Sequence, residues 1–316
     1  MKNMVKVVAA ASLGLAEFAS NAAASVEPAS CRDVRFADVG WTDITATTAL
    51  ASTLLEGLGY RPKTTIASVP ITFAGIKKKQ IDVFLGYWSP SMTPMIEPFV
   101  KTGDVKVLET PNLTGAKYTL AVPKYAFDAG LRSFADIARF ADKLERKIYG
   151  IEPGNDGNAL IEKMLKENTF GLKGFEMVES SEAGMLLSVD RAIRQKKWIV
   201  FLGWEPHPMN VKFDVSYLEG GDEVFGPNFG EAKVYTVVPP DYLNRCPNVG
   251  RLVTNLTFNT ELENRLMTPV MEKKNPATVI KAWLKENPAQ LDQWLAGVKT
   301  ADGGDGLAAV KAYLQR

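Results

Sequence analysis

The chain predicts an α/β protein: two α/β lobes joined by two crossing strands, with a ligand cleft between them. Helical and strand patterns alternate along most of its 316 residues, the sign of βαβ units around parallel sheets. Two distant stretches also say nearly the same thing. Ile76 to Pro90 and Ile193 to Pro206 each read as a helix ending in basic residues, a short apolar run the length of a buried strand, then Gly, an indole and Pro. Val34 to Asp43 repeats the ending with Gly40 and Trp41.

In open α/β sheets ligands sit just beyond the carboxyl ends of strands. Trp41, Trp88 and Trp204, each behind a Gly that breaks its strand, are therefore aimed at a ligand. One strand-end Trp is more often packing than pocket. Three at the same topological position suggest a cage for a cation. Trp198, Trp283 and Trp294 lie elsewhere and read as packing.

Taken in order, Lys2 and Lys6 precede the apolar stretch Val7 to Leu15, and small residues follow from Ser20 to Ser25, an export signal over 1–24. Cys31 and Cys246, the two cysteines of an exported chain, are expected to pair, which puts both in one domain. After Trp41 comes a helix with Leu50, Leu54 and Leu58 on one face, Asp43 at its start and Gly59 at its close. Val69 to Ile76 is a second helix with Pro70 in its opening turn. Val105–Leu108, Tyr118–Pro123, Lys147–Ile151 and Lys233–Pro239 read as further strands. Glu152 to Asn158 is a Gly-rich turn opening a helix. It can present amides and the Asn155 side chain to a ligand oxygen, and a plain Asx-capped helix start fits the same residues. Pattern breaks at Thr110–Gly115 and Ser216–Gly221 mark two crossings, giving a discontinuous first domain over 27–112 and 219–316 and a second over 113–218.

Several classes are excluded. Lys+Arg 37 against Asp+Glu 36 leaves a net charge of +1 without a basic stripe, so no nucleic-acid partner is expected. Past the first residues no run approaches a membrane span of roughly 20 apolar residues. One His, His207, and no Cys-x-x-Cys spacing leave no metal site, and no cofactor is expected. There is no early dinucleotide fingerprint and no nucleophile elbow, and His207 has no evident nucleophile beside it, so the chain does not read as an enzyme.

Gly40-Trp41-Thr42-Asp43, Gly86-Tyr87-Trp88 and Gly203-Trp204-Glu205-Pro206-His207 resemble the signature segments of the substrate-binding family of quaternary-ammonium (choline and glycine betaine) ABC importers. The similarity runs through the mature chain to Lys281–Pro288. It implies a two-lobed periplasmic binding protein, type II-like, that acts as a monomer and delivers its ligand to a membrane permease. Carried over by position, Trp41, Trp88, Tyr118 and Trp204 form the aromatic box, with Asp43 and Asn155 near the ligand's hydroxyl.

The chemistry points the same way. A trimethylammonium group has no N–H to donate, so π faces replace its water best. A carboxylate at Asp43 accepts a bond from choline's hydroxyl and would repel the carboxylate of glycine betaine, which favours choline. Asp43 also fits a helix N-cap, and its two oxygens allow both roles. Tyr118 fits a core strand position as well as a cage wall. Betaines, carnitine and acetylcholine share the head group, and an anion receptor built on Asn155 would leave the three indoles unexplained.

Overall fold

The computed structural model describes residues 27–316, so the expected export signal lies outside the described residues. The strands are β1 (Asp33–Asp38), β2 (Arg61–Ile66), β3 (Phe84–Ser89), β4 (Lys106–Val107), β5 (Leu113–Pro123), β6 (Lys147–Tyr149), β7 (Glu176–Val178), β8 (Phe201–Glu205), β9 (Val215–Tyr217) and β10 (Glu231–Val238). β1 and β2 form a parallel pair, and Phe36 bridges to Val83 just before β3. The larger sheet runs β3-β10-β5-β8-β6-β7, with β4 on β10 and β9 on β5.

Two α/β lobes result, the fold the sequence predicts. In the first, α1 (Thr42–Gly57) packs on helices Thr260–Met271, Pro276–Glu286 and Gly306–Leu314, and α2 (Val69–Lys77) opens with its proline where a missing amide proton does little harm. In the second, helices Asp156–Lys166 and Glu182–Arg194 follow β6 and β7. β5 pairs with β10 through Leu113–Lys117 and with β8 through Lys117–Ala121, so one strand belongs to both halves of the sheet.

The sheet is mixed rather than parallel: β3 meets β10, and β8 meets β5, in antiparallel register, while β6 meets both β7 and β8 in parallel. Two glycines also behave differently from expectation. Gly40, at φ 85°, does end β1, but Gly86 and Gly203 lie inside β3 and β8, which continue through Trp88 and Trp204. Their reason is close packing. A Cβ on Gly86 would stand 2.6 Å from Ile44 Cδ1, and one on Gly203 2.8 Å from the Ala121 Cβ. β5 likewise begins at Leu113, inside the stretch read as a break, with Gly115 at φ 76° admitting the bend.

Cys31 and Cys246 form the expected disulfide, with Cα atoms 5.6 Å apart. Beside it Glu27 caps the helix Pro247–Asn255, accepting from Asn248 N at 3.1 Å and Val249 N at 3.3 Å. The bond closes a loop of 215 positions, and its main effect is on the unfolded chain. Serine at both positions is expected to lower unfolding stability by about 2–4 kcal/mol. Denaturant melts of wild type and variant, with and without reductant, check this. Reductant should shift only the wild type, and ligand affinity at 25 °C should not move.

Candidate ligand-binding site

Trp41, Asp43, Trp88, Tyr118, Ile151, Asp156 and Trp204 line one cavity between the lobes. Three of its four rings come from the larger sheet. Tyr118 on β5 sits directly opposite Trp204 on β8, and Trp88 on β3 is one strand further away, across β10. Ring centroids are 5.9 Å apart for Trp88–Tyr118 and 6.2 Å for Tyr118–Trp204, with steep interplanar angles of 54° and 75°, so the faces converge instead of stacking. Trp41 arrives from the β1–α1 turn. Asp38 shapes that turn by accepting from Gly40 N at 2.7 Å and Thr45 Oγ1 at 2.8 Å.

The second lobe holds the Trp41–Thr42 dipeptide by two carboxylates. Trp41 Nε1 donates to Glu152 Oε1 at 2.6 Å; Thr42 N donates to Glu182 Oε2 at 2.9 Å and its hydroxyl to Glu182 Oε1. Glu182 thus serves the N-terminus of α1, where amides lack intrahelical partners. His207 completes the link. Its Nδ1 accepts from Met209 N at 3.0 Å, so the ring proton resides on Nε2 and donates to Glu182 Oε1 at 3.3 Å. The imidazole also lies edge-on to Trp204, 4.8 Å between centroids. Burial alone would raise the Glu182 carboxyl, but the bonds from His207 and Thr42 outweigh it and hold it below its ordinary range.

Asp43 does not cap α1: Trp41 occupies the N-cap position, and Asp43 is in the first turn with Oδ1 unbonded. Burial, then the nearby Glu182 charge, push its carboxyl up to about 7. Asp156 stands likewise in the first turn of its helix, 2% exposed, with neither oxygen bonded, and burial pushes it up to about 6. Burial also pushes Glu152 up to about 7. Trp88 Nε1 makes no hydrogen bond either.

Asn155 is not part of the cavity wall. Its Oδ1 caps the helix by accepting from Asn158 N at 2.9 Å and lies 3.4 Å from the Tyr118 hydroxyl, and its amide donates to the Glu152 carbonyl. The remaining indoles pack: Trp294 is fully buried and donates to Thr257 O at 3.0 Å, Trp283 lies 6.2 Å from it between centroids, and Trp198 is tilted against Phe140 at 4.8 Å.

Residues 32–286 match the family model described as the substrate binding domain of ABC-type glycine betaine transport system. The chain belongs to that family. Substrate binding for transport, not catalysis, is the role this membership carries. A solved ABC-transporter choline binding protein in complex with choline is 54% identical, covers 91% of this chain and 100% of its own, and superposes with a TM-score of 0.89. An ABC-transporter choline binding protein in an unliganded semi-closed conformation, with the same identity and coverage, superposes less well, at 0.84. Lactococcal OpuAC in its closed-liganded conformation with glycine betaine is 27% identical, covers 83% of this chain and 98% of its own, and gives 0.75. No helix among the described residues is long and apolar enough to cross a membrane.

For a substrate-binding domain of this family, the residues missed from sequence are Glu152, Asp156, Glu182 and the positioning part played by His207. Each acid opens or precedes a helix at the cleft, a pattern visible in sequence, but which ones turn inward depends on lobe geometry. Gly157 offers the sharpest local test. A Cβ there would fall 2.1 Å from the Tyr118 Oη. Ala at 157 suits the helix better than Gly by about 1 kcal/mol, but it must push aside the Tyr118 ring and Leu202, so it should weaken ligand binding at least about tenfold and lower Tm modestly, as titration with thermal melts would read.

Proposed function

We propose that the protein captures choline in the periplasm as a monomer and hands it to the membrane permease of an ABC importer. The observation that carries this is a cavity lined by four aromatic rings and two carboxyl groups, with no cationic side chain on its wall. Trp41, Trp88, Tyr118 and Trp204 supply π faces to the trimethylammonium group. Asp43 accepts from the hydroxyl, and Asn155 acts through Tyr118. Each face is worth about 0.5–2 kcal/mol, so about four supply about 2–8 kcal/mol, and the acidic groups and apolar burial supply the rest of micromolar binding. The complex of the 54% identical relative with choline supports the ligand. Glycine betaine needs donors for its carboxylate, and the acidic Asp43 and Asp156 on the wall oppose it. Closure would swing 113–218 against 27–112 and 219–316 about β5 and β10.

Calorimetric titration with choline tests the reading. Micromolar binding is expected, and no heat would contradict it. Trp88→Ala and Trp204→Ala should each weaken binding more than about tenfold with Tm retained, whereas Trp283→Ala should lower Tm and leave affinity unchanged. Equal loss of binding in all three would assign the effect to folding.

The raised Asp43 carboxyl makes binding pH-dependent. Without ligand the group keeps its proton up to about pH 7, and a bound cation favours the charged form. Cation binding therefore expels protons below pH 7. By linkage choline affinity should climb as pH rises toward 7 and flatten above it. Titrations from pH 5 to 8.5 check the sign; an affinity that falls with rising pH would contradict it.

A further inference from the structure

Two carboxylates, not one, face the cavity. Asp43 comes from the first turn of α1 in one lobe, Asp156 from the first turn of Asp156–Lys166 in the other. Both are buried, at 3% and 2% exposure, and Asp43 Oδ1 with both Asp156 oxygens makes no hydrogen bond. Around them face Glu152 and Glu182 from the second lobe, Glu263 from the helix Thr260–Met271, the Tyr118 phenol, and His207 with its proton on Nε2. Positive partial charge reaches them from the two helix N-termini, from the Trp88 indole N–H beside Asp43 and from the Ser91 hydroxyl beside Asp156.

We propose that Asp156 is a specificity residue, the second half of a charge filter with Asp43 that favours closure on ligands of net positive charge. This rests on the cation-cage reading above. Closing the lobes brings two like charges into one space of low dielectric, which is unfavourable unless a cation lies between them or they take up protons. Burial raises both carboxyls, and the Glu182 charge adds to it at Asp43. A quaternary ammonium ion relieves it. A zwitterion of the same head group carries a carboxylate that must lie against Asp43 or Asp156, so charge rather than size rejects betaines. Tetramethylammonium, which lacks the hydroxyl, should feel Asp156 as strongly as choline does. That separates a charge role from a hydroxyl contact.

The test is calorimetry on wild type and Asp156→Asn with choline, tetramethylammonium and glycine betaine, at pH 6 in two buffers of different ionisation enthalpy. Expected for the variant is a loss of about tenfold or more for choline and for tetramethylammonium alike, a gain for glycine betaine, and fewer protons released on choline binding. Unchanged affinities and proton release would overturn the proposal and leave Asp156 a helix-start residue. So would equal loss for all three ligands with a lower Tm. Should the variant fail to fold, the wild type decides by the number released: choline binding at pH 6 should expel more than one proton, since Asp43 alone can give at most one, and one or fewer would overturn the proposal. Wild type that binds no choline removes the cage reading itself, a failure distinct from a variant without effect.

Discussion

The carboxylates of Glu152 and Glu182, reaching from one lobe to Trp41 and Thr42 in the other, are the constraint on which the site depends. Three of the four rings share one sheet, Trp88 on β3 of the first lobe and Tyr118 and Trp204 on β5 and β8 of the second. Trp41 belongs to the other sheet system. Its ring is held to the second lobe through Glu152, beside the N-terminus of α1 docked on Glu182. The chain Trp204, His207, Glu182, Thr42, Trp41 thus joins one wall to the opposite one through hydrogen bonds and a ring contact.

That arrangement has a cost in stability. Asp43, Asp156 and the Trp88 indole keep buried polar atoms unbonded, a state that destabilises a protein by about 1–3 kcal/mol per group. Such groups are tolerated where a ligand satisfies them. The rest of the fold offsets the penalty: α1 is sandwiched among three C-terminal helices, and the Cys31–Cys246 bond fastens the start of the described chain to the same lobe. The glycines at 86, 157 and 203 serve the site as well, since each lets a neighbouring side chain come closer than any Cβ would allow.

Much of this was legible in the sequence. Repeated Gly-indole endings placed Trp41, Trp88 and Trp204 at strand ends because a short apolar run and a turn are local properties. The alternation of helix and strand carried the fold class, and the cysteine count carried the disulfide. Strand partners were not legible: β3 and β8 look like parallel strands, yet their neighbours come from distant crossings. The same limit hid Asp156. Asn155 and Asp156 are adjacent at a helix start, and which one caps and which one faces the cleft depends on the tilt of the helix against Tyr118. Glu182 and His207 met only through tertiary packing, so no spacing rule could join them.

On this reading the aromatic faces and buried acids select a positive charge, not merely an apolar shape. The neutral carbon isostere of choline, 3,3-dimethylbutan-1-ol, isolates that difference because it keeps the size and the hydroxyl. Side-by-side calorimetric titration at neutral pH should give micromolar choline binding and at least about a hundredfold weaker binding of the isostere, about 2.7 kcal/mol. Equal affinity for the two would contradict the account, because it would make the cavity a hydrophobic pocket indifferent to charge.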